Sequence, residues 1–222
     1  MLNPASFSQS LHMTLAAFAT TGIAVAGIHA WMLRRDPSAA FHRAALKVAL
    51  MVAVPASLLQ VVSGDLSAKF LAKWQPVKLA ALEGHFETER GASLVIGGIP
   101  DVSAGSPAMP SRSEDALGLA FGDPDAEVRG LNAFPREDWP PVAVTHLAFQ
   151  IMVGLGALMA LASLWVILCW IRSARSRTIV RWLTFPRGAH AAGFIAVEAG
   201  WSSPRWGASP GSSKGSCAPS TP

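Results

Sequence analysis

Leu11-HMTLAAFATTGIAVAGIHAWM-Leu33 is a run of 23 residues without a formal charge. As a helix, at 1.5 Å per residue, it is about 34 Å long. Crossing the hydrocarbon of a bilayer takes about 20 mostly apolar residues, and the run lacks the polar face that a helix on a soluble core keeps. Two more runs read the same way. One extends from about Phe41 to Val62 and is uncharged after Lys47. Its Pro55 is tolerable as a kink, because neighbouring helices or waters satisfy the freed carbonyl of a membrane helix. The other, Pro141 to Ile171, is uncharged apart from the titratable His146 and contains the small-residue run Val153-GLGALM-Ala160. A fourth stretch, about Ile179 to Trp201, is interrupted by Arg181, Arg187 and His190. An arginine at a helix centre costs about 2.5–3.5 kcal/mol to insert. The expected class is an all-α integral membrane protein with three to four transmembrane helices and a long extracytoplasmic loop.

Composition agrees. Of 222 residues 51% are hydrophobic and 14% charged, with a mean hydropathy of +0.36, whereas a soluble domain carries about 25% charge. Two cysteines, Cys169 and Cys217, are too few for a disulfide framework or a zinc site. The net charge of +4 is too small to suggest a nucleic-acid partner. The start, Met1-Leu-Asn-Pro4, has no basic region and no small-residue cleavage site follows the first run, so that run reads as a span rather than a removed signal peptide.

The spans divide the chain into residues 1–62 with two helices, 63–139 as a loop, 140–171 as the third helix, 172–201 as a basic turn and the fourth stretch, and 202–222 as a disordered tail. The loop holds 12 of the 14 acidic residues, all but Asp36 and Glu198. The short connections are basic instead: Arg34, Arg35 and Arg43 on one, Arg172, Arg175, Arg177 and Arg181 on the other. By the positive-inside rule these short connections are cytoplasmic and the acidic loop faces outward.

Few ionisable groups fall within or beside the spans. His12 lies at the outer end of the first and His29 near its inner end; such a histidine is more often hydrogen-bonded than ligating. Met152 in the third span is ordinarily core filler. Together, a His and a Met on two spans are able to supply a haem iron with the ligand pair that raises its reduction potential. Glu198 is the one carboxylate in an apolar stretch. It is a proton relay, ligand or ion-pair partner if that stretch is in the membrane, and a solvated residue if it is not. In the loop, Gln75-PVKLAAL-Glu83 reads as a short helix on which Lys78 and Glu83 are either solvated or a positioned acid–base pair at the membrane surface. His42, His85, His146 and His190 carry no signal.

Four segments, in order, resemble subunit I of the cytochrome bd-type quinol oxidases. They are Asn3-Pro-Ala-Ser-Phe7 with Leu11-His-Met13; Ser63-GDL-Ser67 leading into Gln75-PVKLAALEGHFET-Glu89 and Gly98-Ile-Pro-Asp101; Trp139-PPVA-Val144 with His146-LAFQI-Met152; and Gly193-FIAVEAG-Trp201. The resemblance covers nearly the whole chain to Trp201. It implies that the loop is the outward-facing quinol-binding loop and that Lys78 and Glu83 serve quinol oxidation. It also implies that His12 and Met152 are the axial ligands of a low-spin haem b, and that Glu198 ligates a high-spin haem b. The implied setting is the bacterial inner membrane in aerobic respiratory electron transport. The implied partners are quinol, the oxidase's subunit II and the lipid bilayer, with no nucleic acid.

This sequence departs from the family pattern in three places. Gln150 stands where the family can have Arg. The spans that precede His12 in the family, with the haem d ligand region, are absent, so the chain reads as a fragment unable to reduce oxygen alone. The tail from Ser202 lacks the family's Gly-Arg-Gln-Pro-Trp motif. Ser202 to Gly211 can be encoded TCG TCA CCG AGG TGG GGC GCC AGC CCT GGA, and with one G in front this reads Val-Val-Thr-Glu-Val-Gly-Arg-Gln-Pro-Trp. We hypothesise a frameshift just after Trp201; an intact genomic frame downstream without that motif would overturn it. The other function classes are a non-catalytic membrane or assembly protein and a small transporter. The transporter has only Glu198 in its favour and no internal repeat.

Overall fold

In a computed structural model, the described residues are 5–90, 94–96, 99–101, 106–108, 111–113, 127–172 and 189–206. Five α-helices are found among them: α1 (Ala5–Arg35), α2 (Ala40–Trp74), α3 (Pro76–Glu83), α4 (Val142–Ile171) and α5 (Ala189–Trp206). Of these, α1, α2 and α4 are long and apolar enough to cross a membrane. The chain divides into two compact units, residues 1–70 with 151–200 and residues 71–150 with 201–222.

The first unit is built on a seam of small residues. Ala19, Ala26 and Ala30 of α1 are buried, as are Ala49, Ala53 and Ala56 of α2. Gly22 lies in the same row, three residues after Ala19 and four before Ala26. Small residues at three- and four-residue spacing let two helix backbones approach closely, the usual basis of association in lipid. The approach is tightest at Gly22, where an added Cβ would lie 2.8 Å from the Ala53 Cβ. Leu33 and Leu46 close the seam at one end, while Met159 of α4 packs against Ala19 and Ala56. Gly193 of α5 meets Thr20 as closely, at 2.8 Å from its hydroxyl oxygen to an added Cβ. The outward faces keep their apolar side chains: Leu158, Leu161 and Trp170 of α4 are 60%, 61% and 80% exposed. Apolar surface on that scale marks a lipid-facing or partner-facing helix. Gly22→Leu is expected to force α1 and α2 apart, destabilising the detergent-solubilised chain by about 1–3 kcal/mol. Unfolding of the variant beside the wild type measures this.

Two boundaries differ from the sequence expectation. The apolar run of α2 ends near Val62, but the helix continues to Trp74, giving 35 residues and a length of about 52 Å. The added turns, Ser63 to Trp74, contain good helix formers, and Asp65 and Lys69 pair at 2.8 Å four residues apart. Pro55 lies within the helix without ending it. The fourth stretch forms α5, which starts at Ala189 and extends past Trp201 to Trp206, so the first residues of the expected disordered tail are helical. Residues 173–188, with Arg175, Arg177, Arg181 and Arg187, and residues 207–222 lie outside the described residues.

The second unit contains α3, two 3-10 turns at Leu131–Ala133 and Arg136–Asp138, and the first turns of α4. The expected loop also contains short strands: β1 (Glu89–Arg90), β2 (Leu94–Ile96), β3 (Ile99–Asp101), β4 (Ser106–Ala108), β5 (Ser111–Ser113) and β6 (Glu127–Val128). They pair antiparallel as β1 with β6, β2 with β5 and β3 with β4. Leu94 faces Ser113 and Ile99 faces Ala108, so one register runs through both inner ladders. The core of the unit is Ala80, Ala81, Phe86, Leu131 and Val142, with Trp139 against it.

Candidate functional site

α3 is short but firmly bounded. Pro76 occupies its first turn, where a missing N–H is harmless. Gly84 ends it in the left-handed conformation, φ 71°, with its N–H on the Ala80 carbonyl. No side chain is tolerated at Gly84 without a second conflict, because an added Cβ would sit 3.1 Å from His146 Nδ1. His146, in the first turns of α4, donates from Nδ1 to the Leu82 carbonyl at 2.7 Å, satisfying an end-of-helix acceptor. On the other side the chain runs back along residues 85–90: the Leu131 N–H donates to the His85 carbonyl and the Asn132 N–H to that of Phe86, both at 2.9 Å. Gly130 lies so close to the backbone of Phe86 and Glu87 that a side chain there would collide with it. Every residue from Leu79 to Phe86 is buried as a result.

That burial acts on Glu83, which is 4% exposed. Desolvation pushes its carboxyl up from the ordinary 4.5 to about 7, and its Oε2 is buried without a hydrogen-bond partner. Burial also lowers the pKa of Lys78, half-buried on the same helix. The two are five residues apart, roughly 140° around the helix axis, and burial is the cause of each shift. They perturb their own protonation separately rather than as an ion pair. Since the folded pKa of Glu83 lies above the unfolded one, the folded state binds the extra proton between the two values. Its contribution to stability is full below pH 4.5 and lost as pH rises to about 7. Glu83→Gln is expected to remove that fall and to stabilise the chain at pH 8 by about 3 kcal/mol. Denaturant titrations at pH 5 and 8 check it.

The other sequence-derived residues belong to the first unit. His12 of α1 is half-buried and held by one turn of α2. Its Nδ1 is 2.9 Å from Ser63 Oγ, and its Nε2 is 2.9 Å from Gln60 Nε2. The Ser63 hydroxyl already donates to the Gln60 carbonyl at 3.0 Å, so it accepts from His12, and the Gln60 amide nitrogen donates to Nε2. Gln60 Oε1 is left buried and without a partner. A cleft of about 280 Å³ lined by Phe7, Ser8, Leu11, Ser63, Leu66 and Phe70 opens beside this group. Met152 of α4 is half-buried with its sulfur against Gly200 of α5, 2.7 Å from an added Cβ. Glu198, two residues earlier on α5, is exposed. It lies off the buried row formed by Gly193 and Ala196, so it is not brought to Met152 as Gly200 is. Among the described residues no group of three or more His, Cys, Asp or Glu side chains forms a metal site.

The donor set at His12 suits a haem iron. A metal-ligating histidine characteristically donates its second ring N–H to a nearby acceptor, which is the bond from Nδ1 to Ser63. Nε2 then carries the available lone pair, and the one group on it is an amide whose own oxygen is unsatisfied. Sequence reasoning missed His146, Gln60 and Ser63 in these roles. His146 and Ser63 both fall inside the resembling segments, which is the signal that marks them; nothing marks Gln60 except its place one turn before Ser63.

These features define a multi-pass helical membrane protein with a buried, near-neutral carboxyl on the short helix α3 and a histidine of α1 held at both ring nitrogens by Ser63 and Gln60. Residues 1–210 match the family model of cytochrome bd terminal oxidase subunit I, and the chain belongs to that family. It is 36% identical over 205 residues to a Bacillus subtilis protein inferred to be a cytochrome bd menaquinol oxidase subunit I, covering 90% of this chain and 46% of the relative. A cytochrome bd ubiquinol oxidase subunit 1 from the same organism is 29% identical over 217 residues, 89% of this chain and 46% of that one. The solved structure of the bd oxidase from Geobacillus thermodenitrificans superimposes with a TM-score of 0.79 at 31% identity, covering 92% of this chain and 47% of that chain. The chain therefore spans about half the length of the relatives it matches. The family is one of membrane-embedded haem proteins that work with quinol and a second subunit.

Proposed function

We propose that the chain carries the electron-entry half of a bd-type oxidase subunit I, in which quinol gives up protons and electrons at α3 and a low-spin haem b would be the electron acceptor. The observation that carries this reading is Glu83: a buried carboxyl with an unpartnered oxygen and a pKa of about 7. A general base works best with a pKa near the operating pH. The Glu83 carboxylate takes a proton from one quinol hydroxyl, and oxidation to quinone releases two protons and two electrons in all. Lys78, its charge disfavoured by burial, orients the ring oxygen by donating a hydrogen bond. His146 and Gly84 hold the end of α3 so that the carboxyl stays dry.

Haem b, when bound, supplies one-electron chemistry. His12 Nε2 and Met152 Sδ would hold its iron, and Glu198 would serve a second, high-spin haem b. Haem d belongs to the oxygen-reducing part of the family. The basic short connections orient α3 and the ribbon to the outer side of a bacterial inner membrane, and subunit II and lipid cover the apolar outer faces. Anaerobic addition of quinol to the haem-loaded chain tests the reading. Reduction of a low-spin haem supports it, and a chain that takes up no haem supports a non-catalytic membrane or assembly role instead.

A further inference from the structure

We infer that Ser63 and Gln60 are a positioning pair for His12: Ser63 selects and strengthens the ligating nitrogen, and Gln60 keeps the place on that nitrogen that an iron would take. The inference rests on the reading of His12 as a haem ligand. It stands on four observations. Ser63 and Gln60 lie three residues apart on α2, on one face of the helix, so a single turn grips both edges of the imidazole. The Ser63 hydroxyl spends its own proton on the Gln60 carbonyl, leaving only acceptor capacity toward His12. This fixes the proton on Nδ1 and the lone pair on Nε2. Gln60 donates to that lone pair at 2.9 Å while its Oε1 stays buried and unpartnered, and a buried orphan acceptor calls for an explanation. An amide that gives up this bond when iron arrives, and turns toward another donor, is one. Finally Gly64 leaves the ring edge uncrowded, with an added Cβ at 3.5 Å from Cε1.

The two residues then differ in what their loss does. The bond from Nδ1 to Ser63 makes the imidazole more basic and favours ferric iron. Ser63→Ala is expected to keep the low-spin spectrum, to weaken haem binding by about ten- to a hundredfold, and to shift the ferric–ferrous equilibrium toward ferrous. Each tenfold change in that equilibrium reads as about 59 mV more positive in a redox titration. Ser63→Thr, which retains the hydroxyl, should restore both values. Gln60→Leu removes a competitor for Nε2, so haem affinity should rise severalfold with the potential unmoved.

Unchanged affinity and potential in Ser63→Ala, or weaker haem binding in Gln60→Leu, overturns the inference while leaving His12 as a ligand. Retention of the low-spin haem in His12→Ala overturns the ligand reading itself. Should the chain take up no haem, nitrogen-15 NMR of the histidine-labelled apoprotein decides the arrangement. His12 should be protonated on Nδ1 in the wild type and a mixture of tautomers in Ser63→Ala, and an Nε2-protonated wild type contradicts the inference.

Discussion

Glu83→Gln should slow reduction of the haem-loaded chain by quinol about 10²- to 10⁴-fold, the usual contribution of a positioned general base. Glutamine keeps the volume and the hydrogen-bonding reach of the side chain but cannot take the proton. Its effect belongs in the rate constant at saturating quinol rather than in quinol affinity. The fold is not at risk, because replacing a buried carboxyl of raised pKa removes a charge that folding disfavours above pH 7. Stopped-flow mixing across pH 5.5 to 8.5 supplies a second signature. The wild-type rate should rise with pH through a limb near 7 as Glu83 ionises, and the variant should lack that limb. A variant within a few-fold of wild type, with the limb intact, would assign proton transfer elsewhere.

The second large effect is at the iron. His12→Ala should abolish the low-spin haem b spectrum, because it removes the imidazole that Ser63 and Gln60 hold. Met152→Ala should convert the haem to a high-spin form or lower its potential, since thioether ligation favours ferrous iron. Gly200→Ala supplies a milder version of the same change. Its new Cβ would press on the Met152 sulfur at 2.7 Å, and a flexible methionine yields by moving the atom that would hold the iron. Glu198→Gln should leave the low-spin signal intact, in keeping with its exposed position on α5. Difference spectra of the four variants measure all of this.

The spans were legible because their signal is compositional: α1, α2 and α4 are apolar on every side, and no tertiary contact is needed to see it. Their ends were less so. After Lys47, charge returns to α2 at Asp65, which ends an apolar run but not a helix, and the Asp65–Lys69 pair is satisfied outside the hydrocarbon. The ribbon of strands in the loop has no signature in the sequence, since its pairings are three residues long or shorter, too brief for an alternating pattern. At the site, Lys78 and Glu83 could be named from the helix they share, but not the reason Glu83 is unusual. The residues that pack around its helix and the turn after it, Leu131 and Val142 against Ala80 and Ala81 and His146 on the Leu82 carbonyl, lie 48 to 63 residues beyond Glu83 in the chain. Likewise His12 could be proposed as a ligand from its place in the span, whereas its tautomer depends on Ser63 and Gln60, about fifty residues away. Glu198 is exposed on α5, a position compatible with both the membrane and the solvated reading of the sequence.

One measurement bears most directly on the electron-entry account. The full chain, purified in detergent and loaded with haem b, is titrated anaerobically with ubiquinol or menaquinol while its optical spectrum is recorded. The expected result is a low-spin b-type spectrum that quinol reduces in full, at two haems per quinol, with no need for oxygen. A low-spin haem that dithionite reduces and neither quinol does would contradict it.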